Sequence, residues 1–235
     1  ALDSSTMETT PPIQRTLIPH RSSLRLAELI AKRILPHYSP GSLLDIGCGD
    51  GVVSKHLPPS CSYQGLDIVN ACIYEQSADN PHVRYIQANE IECFMEEKGP
   101  WDMVLLLDVI EHTRGFTPLF EKALKKAKRN VVVSLPNELF WIDRLRMLRG
   151  HEHNAHSLDL LGKPEGFKHQ FVINIAKARA LLCDSARRQG FHLHQEVLRP
   201  LESRRSWQQP LLWGLRQMSS DQAWSMGSVF VFEKT

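Results

Sequence analysis

Short apolar runs alternate along the chain with longer segments in which apolar residues recur every three or four positions. The run at 103–107 reads Met-Val-Leu-Leu-Leu, and such a continuous apolar stretch is typical of a strand that is covered on both faces. The other predicted strands lie at 43–46, 63–66, 83–86, 131–135, 191–198 and 228–233, and the predicted helices at 22–35, 91–97, 118–127 and 173–189. This alternation predicts an α/β fold with a parallel, doubly wound sheet and right-handed crossovers.

The first of these strands runs directly into a glycine-rich turn, since residues 43–51 read Leu-Leu-Asp-Ile-Gly-Cys-Gly-Asp-Gly. Gly47, Gly49 and Gly51 are spaced two apart, and the residues from Val52 to Leu57 suit a helix. Glycine alone combines left-handed backbone angles with a backbone that a ligand can touch. A buried strand, a bare turn and a helix N-terminus together predict the binding site of a nucleoside cofactor.

The spacing and charge of this turn indicate which cofactor it suits. In the dinucleotide fingerprint Gly-x-Gly-x-x-Gly the third glycine comes one residue later, where this chain has Val52. Asp45 and Asp50 would repel a pyrophosphate but could receive an ammonium group. The turn therefore favours a cofactor with a cationic amino-acid tail over a nicotinamide dinucleotide. The alternative is an ordinary glycine turn of an α/β protein.

This turn resembles the first motif of class I S-adenosylmethionine (SAM) methyltransferases, in which Asp-x-Gly-x-Gly-x-Gly lies against the methionine part of SAM. The resemblance implies that the cofactor-binding residues of the turn are Asp45, Gly47, Cys48, Gly49 and Gly51.

The resemblance covers residues 43–135 closely and 173–232 more loosely. It implies a Rossmann-like, doubly wound sheet of seven strands, mostly parallel, with helices on both faces. The irregular segment 199–227 separates the last two strands. That ending resembles the antiparallel terminal hairpin of these methyltransferases, whose final strand inserts beside the fifth, whereas a dehydrogenase domain would keep a parallel edge.

Polar side chains follow the second and third predicted strands, at the edge of the sheet where an open parallel sheet binds its ligands. Asp67, followed by Ile68, can accept both ribose hydroxyls through its two carboxylate oxygens. Asn89 stands where related enzymes have an aspartate that contacts the adenine amino group, and Glu90 follows it. The alternative for both Asp67 and Asn89 is a helix N-cap.

The fourth strand ends in a segment, from Leu107 to His112, that resembles the fourth motif of small-molecule methyltransferases such as the ubiquinone-biosynthesis O-methyltransferases. The resemblance implies that Leu107 and Asp108 lie beside the cofactor sulfonium. In the ubiquinone enzymes this motif can hold a divalent metal, and carried over, Asp108, Glu111 and His112 would be its ligands. The same residues could instead cap a helix or orient the loop. We predict no metal and assign His112 as a catalytic base.

The acceptor is expected to bind at an insertion around 136–170, which resembles the segment after the fifth strand in MetW-type methyltransferases. His156 is the predicted catalytic residue there, with His169 as an alternative. The stretch 139–149 has two interpretations. It forms either an aromatic and cationic lid over an anionic acceptor, or an amphipathic helix that packs four apolar residues inward, namely Leu139, Ile142, Leu145 and Leu148.

Composition limits the class of protein. A chain of 235 residues with 42% hydrophobic content suits one globular domain, predicted over 21–235 after a flexible tail at 1–20. Five cysteines without a Cys-x-x-Cys pair indicate reduced thiols of a cytoplasmic protein. No apolar run reaches membrane length, and a net charge of +2 argues against nucleic acid as the partner.

The predicted reaction is methyl transfer from SAM to a small-molecule acceptor, at an oxygen, nitrogen or carbon atom, with release of S-adenosylhomocysteine (SAH). The alternatives are a nicotinamide-dependent oxidoreductase and a SAM-binding module without turnover.

Overall fold

The computed structural model describes residues 12–18, 25–68, 80–163, 168–200 and 220–235, together with 210 and 214. Its centre is an eight-stranded sheet with the order β1-β7-β8-β6-β5-β2-β3-β4. The strands are β1 Gln14–Leu17, β2 Ser42–Ile46, β3 Ser62–Ile68, β4 Val83–Ile86, β5 Trp101–Leu107, β6 Ala127–Pro136, β7 Phe191–Pro200 and β8 Ser225–Lys234. Neighbouring strands are parallel, except that β8 runs antiparallel to both β6 and β7.

The predicted Rossmann-like α/β fold is confirmed, including the insertion of the antiparallel last strand beside the fifth predicted strand, β6. The predicted count of seven strands is wrong by one. The additional strand, β1, lies in the segment predicted as a flexible tail and pairs in parallel with β7 at the sheet edge. All four residues of β1 are exposed. An exposed edge strand has no apolar face, so its sequence carries no strand pattern.

The helices lie on both sides of the sheet, as predicted. They are α1 Leu26–Arg33, α2 Glu90–Glu97, α3 Pro118–Lys126, α4 Trp141–Leu148 and α5 Ile175–Arg187, with a single helical turn at Asp221–Trp224. The helix expected from Val52 to Leu57 is a short 3-10 helix over Val52–His56, because Pro58 and Pro59 follow at once and cannot continue a helix. Within the described ranges no helix combines the length and apolar character needed to cross a membrane.

Two hydrophobic clusters hold the helices against the sheet. On one face Leu44 and Val104 pack with residues of α3 and α5, among them Phe120 and Leu182. On the other face Leu43, Met103 and Val132 pack with residues of α1. Residues that alternate along one strand therefore enter both cores, which is why the strand sequences read as continuous apolar runs.

The strand order places the candidate site. From β2 the chain proceeds through β3 and β4 toward one edge, and from β5 it proceeds to β6 in the opposite direction. The point of reversal between β2 and β5 opens a crevice beyond the carboxyl ends of these strands. The carboxyl ends of β2, β3, β4, β5 and β6 therefore lie along the same side of the sheet.

Candidate active site

The glycine turn after β2 is held by backbone hydrogen bonds to the end of β3. The amides of Gly47 and Cys48 donate to the carbonyl oxygen of Leu66 at 2.8 and 3.2 Å, and the amide of Gly51 donates to Cys48 at 2.9 Å. Gly47, Gly49 and Gly51 have φ values of 72°, 57° and 65°. All three lie in the left-handed region, so the local backbone requires the glycines that the sequence supplies.

The three glycines differ in what surrounds them. A Cβ atom at Gly47 would come within 2.3 Å of Val109 Cγ2, and one at Gly51 within 2.4 Å of Val83 Cγ2. A Cβ atom at Gly49 would meet no described atom within 4 Å. Gly47 and Gly51 therefore allow close packing within the protein, whereas Gly49 faces the open space of the crevice, where a ligand can approach the backbone.

Asp67, at the end of β3, fastens this turn. Its Oδ2 accepts the Gly49 amide at 2.6 Å and its Oδ1 accepts the amide of Ile68 at 2.7 Å. The Tyr85 hydroxyl donates to the carbonyl oxygen of Gly49 at 3.1 Å. Burial raises the pKa of Asp67, and the two amide donors oppose that rise. Each carboxylate oxygen retains a lone pair that can accept a ligand hydroxyl.

Asp45 lies beneath the turn and is 1% exposed. Its Oδ2 accepts the Tyr63 hydroxyl at 2.9 Å, while Oδ1 has no hydrogen-bond partner among the described residues. Burial raises the pKa of Asp45 to about 7, against the hydrogen bond from Tyr63. A buried carboxylate with a spare acceptor suits a cationic ligand group. Asp50 is paired with Arg25 at 3.1 Å, and its role toward an ammonium group stays a prediction.

The thiol of Cys48 is not a reactive group in this crevice. Burial raises its pKa, and the nearby carboxylates of Asp45 and Asp67 add to the rise. The thiol therefore stays protonated at neutral pH and can line a ligand site without acting as a nucleophile.

Asn89, predicted to contact adenine, and Glu90, a further predicted cofactor-binding residue, follow β4 and are both exposed. Glu90 accepts the amide of Gln87 through Oε2 at 2.7 Å, at the start of α2. Asn89 is the N-cap residue of α2, but its side chain makes no capping hydrogen bond. The capping alternative for Asn89 is therefore not realised, and its contact with adenine stays a prediction.

The end of β5 carries a strained aspartate. Asp108 follows Leu107 and has a φ of 53°, a left-handed value that is uncommon for a residue with a side chain. Ser134 on the neighbouring strand β6 holds it there. The Asp108 amide donates to Ser134 Oγ at 2.9 Å, and the Ser134 hydroxyl donates to Asp108 Oδ1 at 2.6 Å. Ser134 therefore holds the Asp108 backbone by one hydrogen bond and the Asp108 side chain by the other.

Glu111, in the turn after Asp108, is a buried acid without hydrogen-bond partners. Its exposure is 0%, and neither carboxylate oxygen meets a partner in the described part of the chain. Burial raises its pKa to about 9, and the nearby acids Asp108 and Glu138 add to the rise. An unpaired buried carboxylate is costly unless a cation compensates it.

Two histidines complete a potential cation site with Glu111. Ligand atoms of Glu111, His112 and His169 lie within 4.8 Å of one another. The Nδ1 atom of His112 lies 3.2 Å from the carbonyl oxygen of Lys168. The Nδ1 atom of His169 lies 2.5 Å from Glu138 Oε1. Because a carbonyl oxygen and a carboxylate oxygen can only accept, both Nδ1 atoms donate these hydrogen bonds, and Nε2 is the nitrogen of each ring that remains for a metal-ligand role.

These residues fit the divalent cation that the ubiquinone-enzyme motif implies, with one change of ligand. Glu111 and His112 belong to the group, and the partners of His112 and His169 leave the ring nitrogens in the form that binds metal. Asp108 does not belong to it and bonds Ser134 instead. The third member, His169, lies far along the sequence.

Replacing Glu111 by glutamine tests this fit without an activity assay. In chelator-treated protein, Glu111→Gln is expected to raise the free energy of unfolding by about 1 kcal/mol, or about 2–4 °C in melting temperature, since glutamine is neutral without taking up the proton that burial forces on Glu111. Mn²⁺ is expected to raise the melting temperature of the wild type and not that of the variant. Glu97→Gln, at an exposed position of α2, is the control. Equal stabilisation of Glu111→Gln and wild type by Mn²⁺ would place the cation elsewhere.

Glu138, just after β6, is a second buried acid in this region, and it has three donors. His169 Nδ1 bonds Oε1, while His156 Nε2 and the amide of Ile173 bond Oε2 at 3.1 and 2.7 Å. Burial alone would raise the pKa of Glu138, but the hydrogen bonds from His169, His156 and Ile173 lower it to about 2. Glu138 is therefore ionised.

A cavity of about 370 Å³ opens beside Glu138 in the predicted acceptor region. Its walls include Asp143 and Arg146 of α4 as well as His153 and His169. This volume and polar lining suit a small ligand with hydrogen-bonding groups. The cavity adjoins the histidines that the predicted methyl acceptor would meet.

The interpretation of 139–149 as a helix that packs its leucines inward is wrong. Helix α4 has no buried residue, and Leu145 and Leu148 are 46% and 83% exposed. Trp141 packs instead against Trp224, with ring centroids 5.0 Å apart. The helix is fixed through this aromatic contact at its start, which leaves its far end at the surface.

The sequence predicted His112 and His156 as catalytic residues, with His169 as the alternative to His156, but it did not predict Glu138. The ring centroid of His169 lies 4.5 Å from that of His112 and 6.0 Å from that of His156, so His169 joins the two predicted catalytic residues. The signal that could have identified Glu138 is its place at the carboxyl end of a central parallel strand.

Comparisons with known proteins agree with this geometry. A family model described as a methyltransferase domain matches residues 19–196, most of the chain. No curated protein sequence matches this chain. The structure is similar to magnesium protoporphyrin IX methyltransferase from Synechocystis PCC 6803 with bound SAH, at a TM-score of 0.53 and 14% identity over 89% of this chain and 82% of that one.

Two further solved structures have the same fold. The methyltransferase domain of bacterial CtHen1 has a TM-score of 0.53 and 17% identity, over 88% of this chain and 96% of that one. The plantazolicin methyltransferase BpumL, in complex with an analogue of its substrate and SAH, has a TM-score of 0.55 and 17% identity, over 89% and 84%. The chain therefore belongs to the methyltransferase-domain family, with the Rossmann-like fold of class I, SAM-dependent methyltransferases.

Proposed function

We propose that this protein transfers a methyl group from SAM to a small-molecule acceptor. The observation that carries the proposal is the glycine turn fastened by Asp67 above the unpaired oxygen of buried Asp45. SAM, when bound, supplies a methyl group on a sulfonium. As the acceptor atom forms its bond to that methyl carbon, the carbon–sulfur bond breaks, SAH is released, and any acceptor proton passes to a base.

The proposed cofactor contacts divide the SAM molecule among the strand ends. Asp45 and the turn residues from Gly47 to Gly51 receive the amino-acid tail, and Asp67 with Ile68 receives the ribose. Asn89 and Glu90 receive adenine. Leu107 and Asp108 lie beside the sulfonium. This division is supported by the strand order of the sheet, in which β5, β2, β3 and β4 lie side by side in that order.

For the acceptor, we propose the cavity beside Glu138 and a histidine base. Burial and the neighbouring His169 lower the pKa of His112, so His112 is neutral at neutral pH and able to take a proton. His156 is the second candidate, and its Nε2 proton is held by Glu138. Solved relatives whose names specify magnesium protoporphyrin IX or a plantazolicin analogue support a small acceptor rather than nucleic acid.

A divalent cation at Glu111, His112 and His169 would bind an acceptor oxygen and acidify its hydroxyl. His112 would then serve as a ligand, and His156 would be the remaining predicted base. The chain's own contribution is a buried Glu111 without a hydrogen-bond partner among the described residues, and two histidines that both donate from Nδ1.

Calorimetric titration of the purified protein with SAH tests the proposed function most directly. We expect saturable one-site binding of SAH and none of NADH. Absence of heat from a folded protein would contradict the proposal, and NADH binding alone would favour an oxidoreductase. A panel of hydroxylated, amino and acidic small molecules, assayed for SAH production, then separates an enzyme from a binding module, which would bind SAH and yield none.

From the raised pKa of Asp45 we expect SAH binding to depend on pH. Its pKa of about 7 means that the folded protein without ligand holds a proton that an approaching ammonium group displaces. We therefore expect SAH affinity to increase as the pH is raised toward 7, by up to about tenfold per pH unit. Binding of SAH in this range should release protons.

Calorimetry in buffers of different ionisation enthalpy measures the released protons. Asp45→Asn is the control, since its amide cannot ionise and should remove the dependence. Equal proton release by Asp45→Asn and wild type would contradict this role of Asp45.

A further inference from the structure

We infer that Glu138 is a positioning residue of the acceptor site, which fixes the ring of His169 so that its Nε2 is available beside Glu111 and His112. A role of Glu138 in catalysis rests on the proposed function. The contact between Glu138 and His169 stands without it, so the two can be tested separately.

The Glu138 carboxylate is shared between donors that come from different parts of the acceptor region. Glu138 is 2% exposed. His156 lies in a 3-10 turn at Asn154–His156, while His169 and Ile173 lie between residue 168 and the start of α5. His153 also approaches, with its Nδ1 3.9 Å from Oε1. One buried negative charge thus gathers side chains that share no secondary-structure element.

The segment that carries His169 is held on both sides. On one side the amide of Gln170 donates to the carbonyl oxygen of Glu111 at 2.7 Å. On the other side the backbones of Glu138 and Ile173 are linked, with the Glu138 amide donating to the Ile173 carbonyl oxygen at 3.2 Å. His169 therefore spans the gap between the two buried acids, and its ring meets that of His112 edge to face.

The chemistry of the contact determines the tautomer of His169. A carboxylate oxygen only accepts, so His169 donates from the Nδ1 that lies 2.5 Å from Glu138 Oε1, and Nε2 lies on the opposite side of the ring from Glu138. A carboxylate behind a histidine also increases the basicity of the ring and its strength as a ligand. A neutral side chain at 138 could fill the same space and still support Ile173, but it would not impose a single tautomer.

Glu138→Gln tests the inference through the spectrum of His169. In protein with ¹⁵N-labelled histidine, identified by comparison with His169→Gln, we expect the wild-type ring in the Nδ1–H form alone. Glu138→Gln should show a mixture with the Nε2–H form. Glu138→Asp keeps the charge and should retain more of the Nδ1–H form. Glu121→Gln is the control, because Glu121 also accepts a hydrogen bond from a side chain, the Ser185 hydroxyl at 2.5 Å, but lies on α3.

Mn²⁺ affinity, measured from the free ion by electron paramagnetic resonance, is the second measurement. We expect Glu138→Gln to weaken Mn²⁺ binding by about 10–100-fold. SAH affinity should stay within about twofold of wild type. A wild-type His169 spectrum in Glu138→Gln would overturn the inference, as would a larger loss of the Nδ1–H form in Glu138→Asp than in Glu138→Gln. Failure of wild type to bind SAH would instead overturn the proposed function, and the spectrum would still decide the role of Glu138.

Discussion

Gly49→Ala is expected to weaken SAH binding by at least about 100-fold, which corresponds to about 2.7 kcal/mol. The Cβ atom would enter the open space of the crevice, since no described atom lies within 4 Å of it. It would also strain a backbone with φ at 57°, at a cost of about 1–2 kcal/mol. Titration calorimetry with SAH and thermal unfolding without ligand measure the two effects separately.

Gly150→Ala is the matched control for this prediction. Gly150 also has a positive φ, of 81°, and a Cβ atom added there would likewise meet no described atom within 4 Å, but it follows α4 rather than β2. The free energy of unfolding should therefore fall by a similar amount in both variants, and only Gly49→Ala should lose affinity for SAH. If both variants bind SAH with wild-type affinity, the glycine turn does not contact the cofactor.

Asp67→Asn is expected to weaken SAH binding by about 1.5–3 kcal/mol, or about 10–150-fold, because it removes a charged acceptor for the ribose hydroxyls. Asparagine has one acceptor oxygen where aspartate has two, so it can accept the amide of Gly49 or that of Ile68 but not both, and the turn loses part of its support. Calorimetry with SAH measures the affinity. The affinity for adenosine, which keeps the ribose but lacks the amino-acid tail, should fall by a similar factor in Asp67→Asn.

Asp102→Asn separates cofactor binding from the loss of a carboxylate that supports the fold. Asp102 accepts the amides of Gly41 and Ser42 at 2.9 and 3.1 Å through Oδ2 and pairs with Lys128 through Oδ1, but it lies near the start of β5, at the amino ends of the parallel strands. Asp102→Asn should lower the melting temperature without changing SAH affinity. Equal losses of SAH affinity in the two variants would show that Asp67 acts only by supporting the fold.

The cofactor half of the site could be predicted because its requirements are local. A left-handed turn requires glycine at Gly47, Gly49 and Gly51 whatever the rest of the chain does. Asp67 and Asp108 were found because each ends an apolar strand, and parallel strands end at one edge of the sheet. The same local reasoning missed β1, whose exposed residues carry no apolar pattern.

The acceptor half could not be predicted in the same way. Glu138 and His169 are 31 residues apart and no motif links them. Their contact depends on how the segment before α5 returns to the end of β6. The pairing of Asp50 with Arg25 and the exposure of Leu145 likewise depend on neighbours that spacing does not reveal.

By itself, the sequence determined the α/β fold, the glycine turn and the acids at the strand ends, because apolar periodicity and left-handed backbone angles are properties of short segments. Only the tertiary structure decided that Glu111 is buried without a partner among the described residues, that His169 stands beside it, and that Glu138 holds His169 in place. The physical reason is that burial and charge pairing arise between distant segments, and they exist only once the chain has brought those segments together.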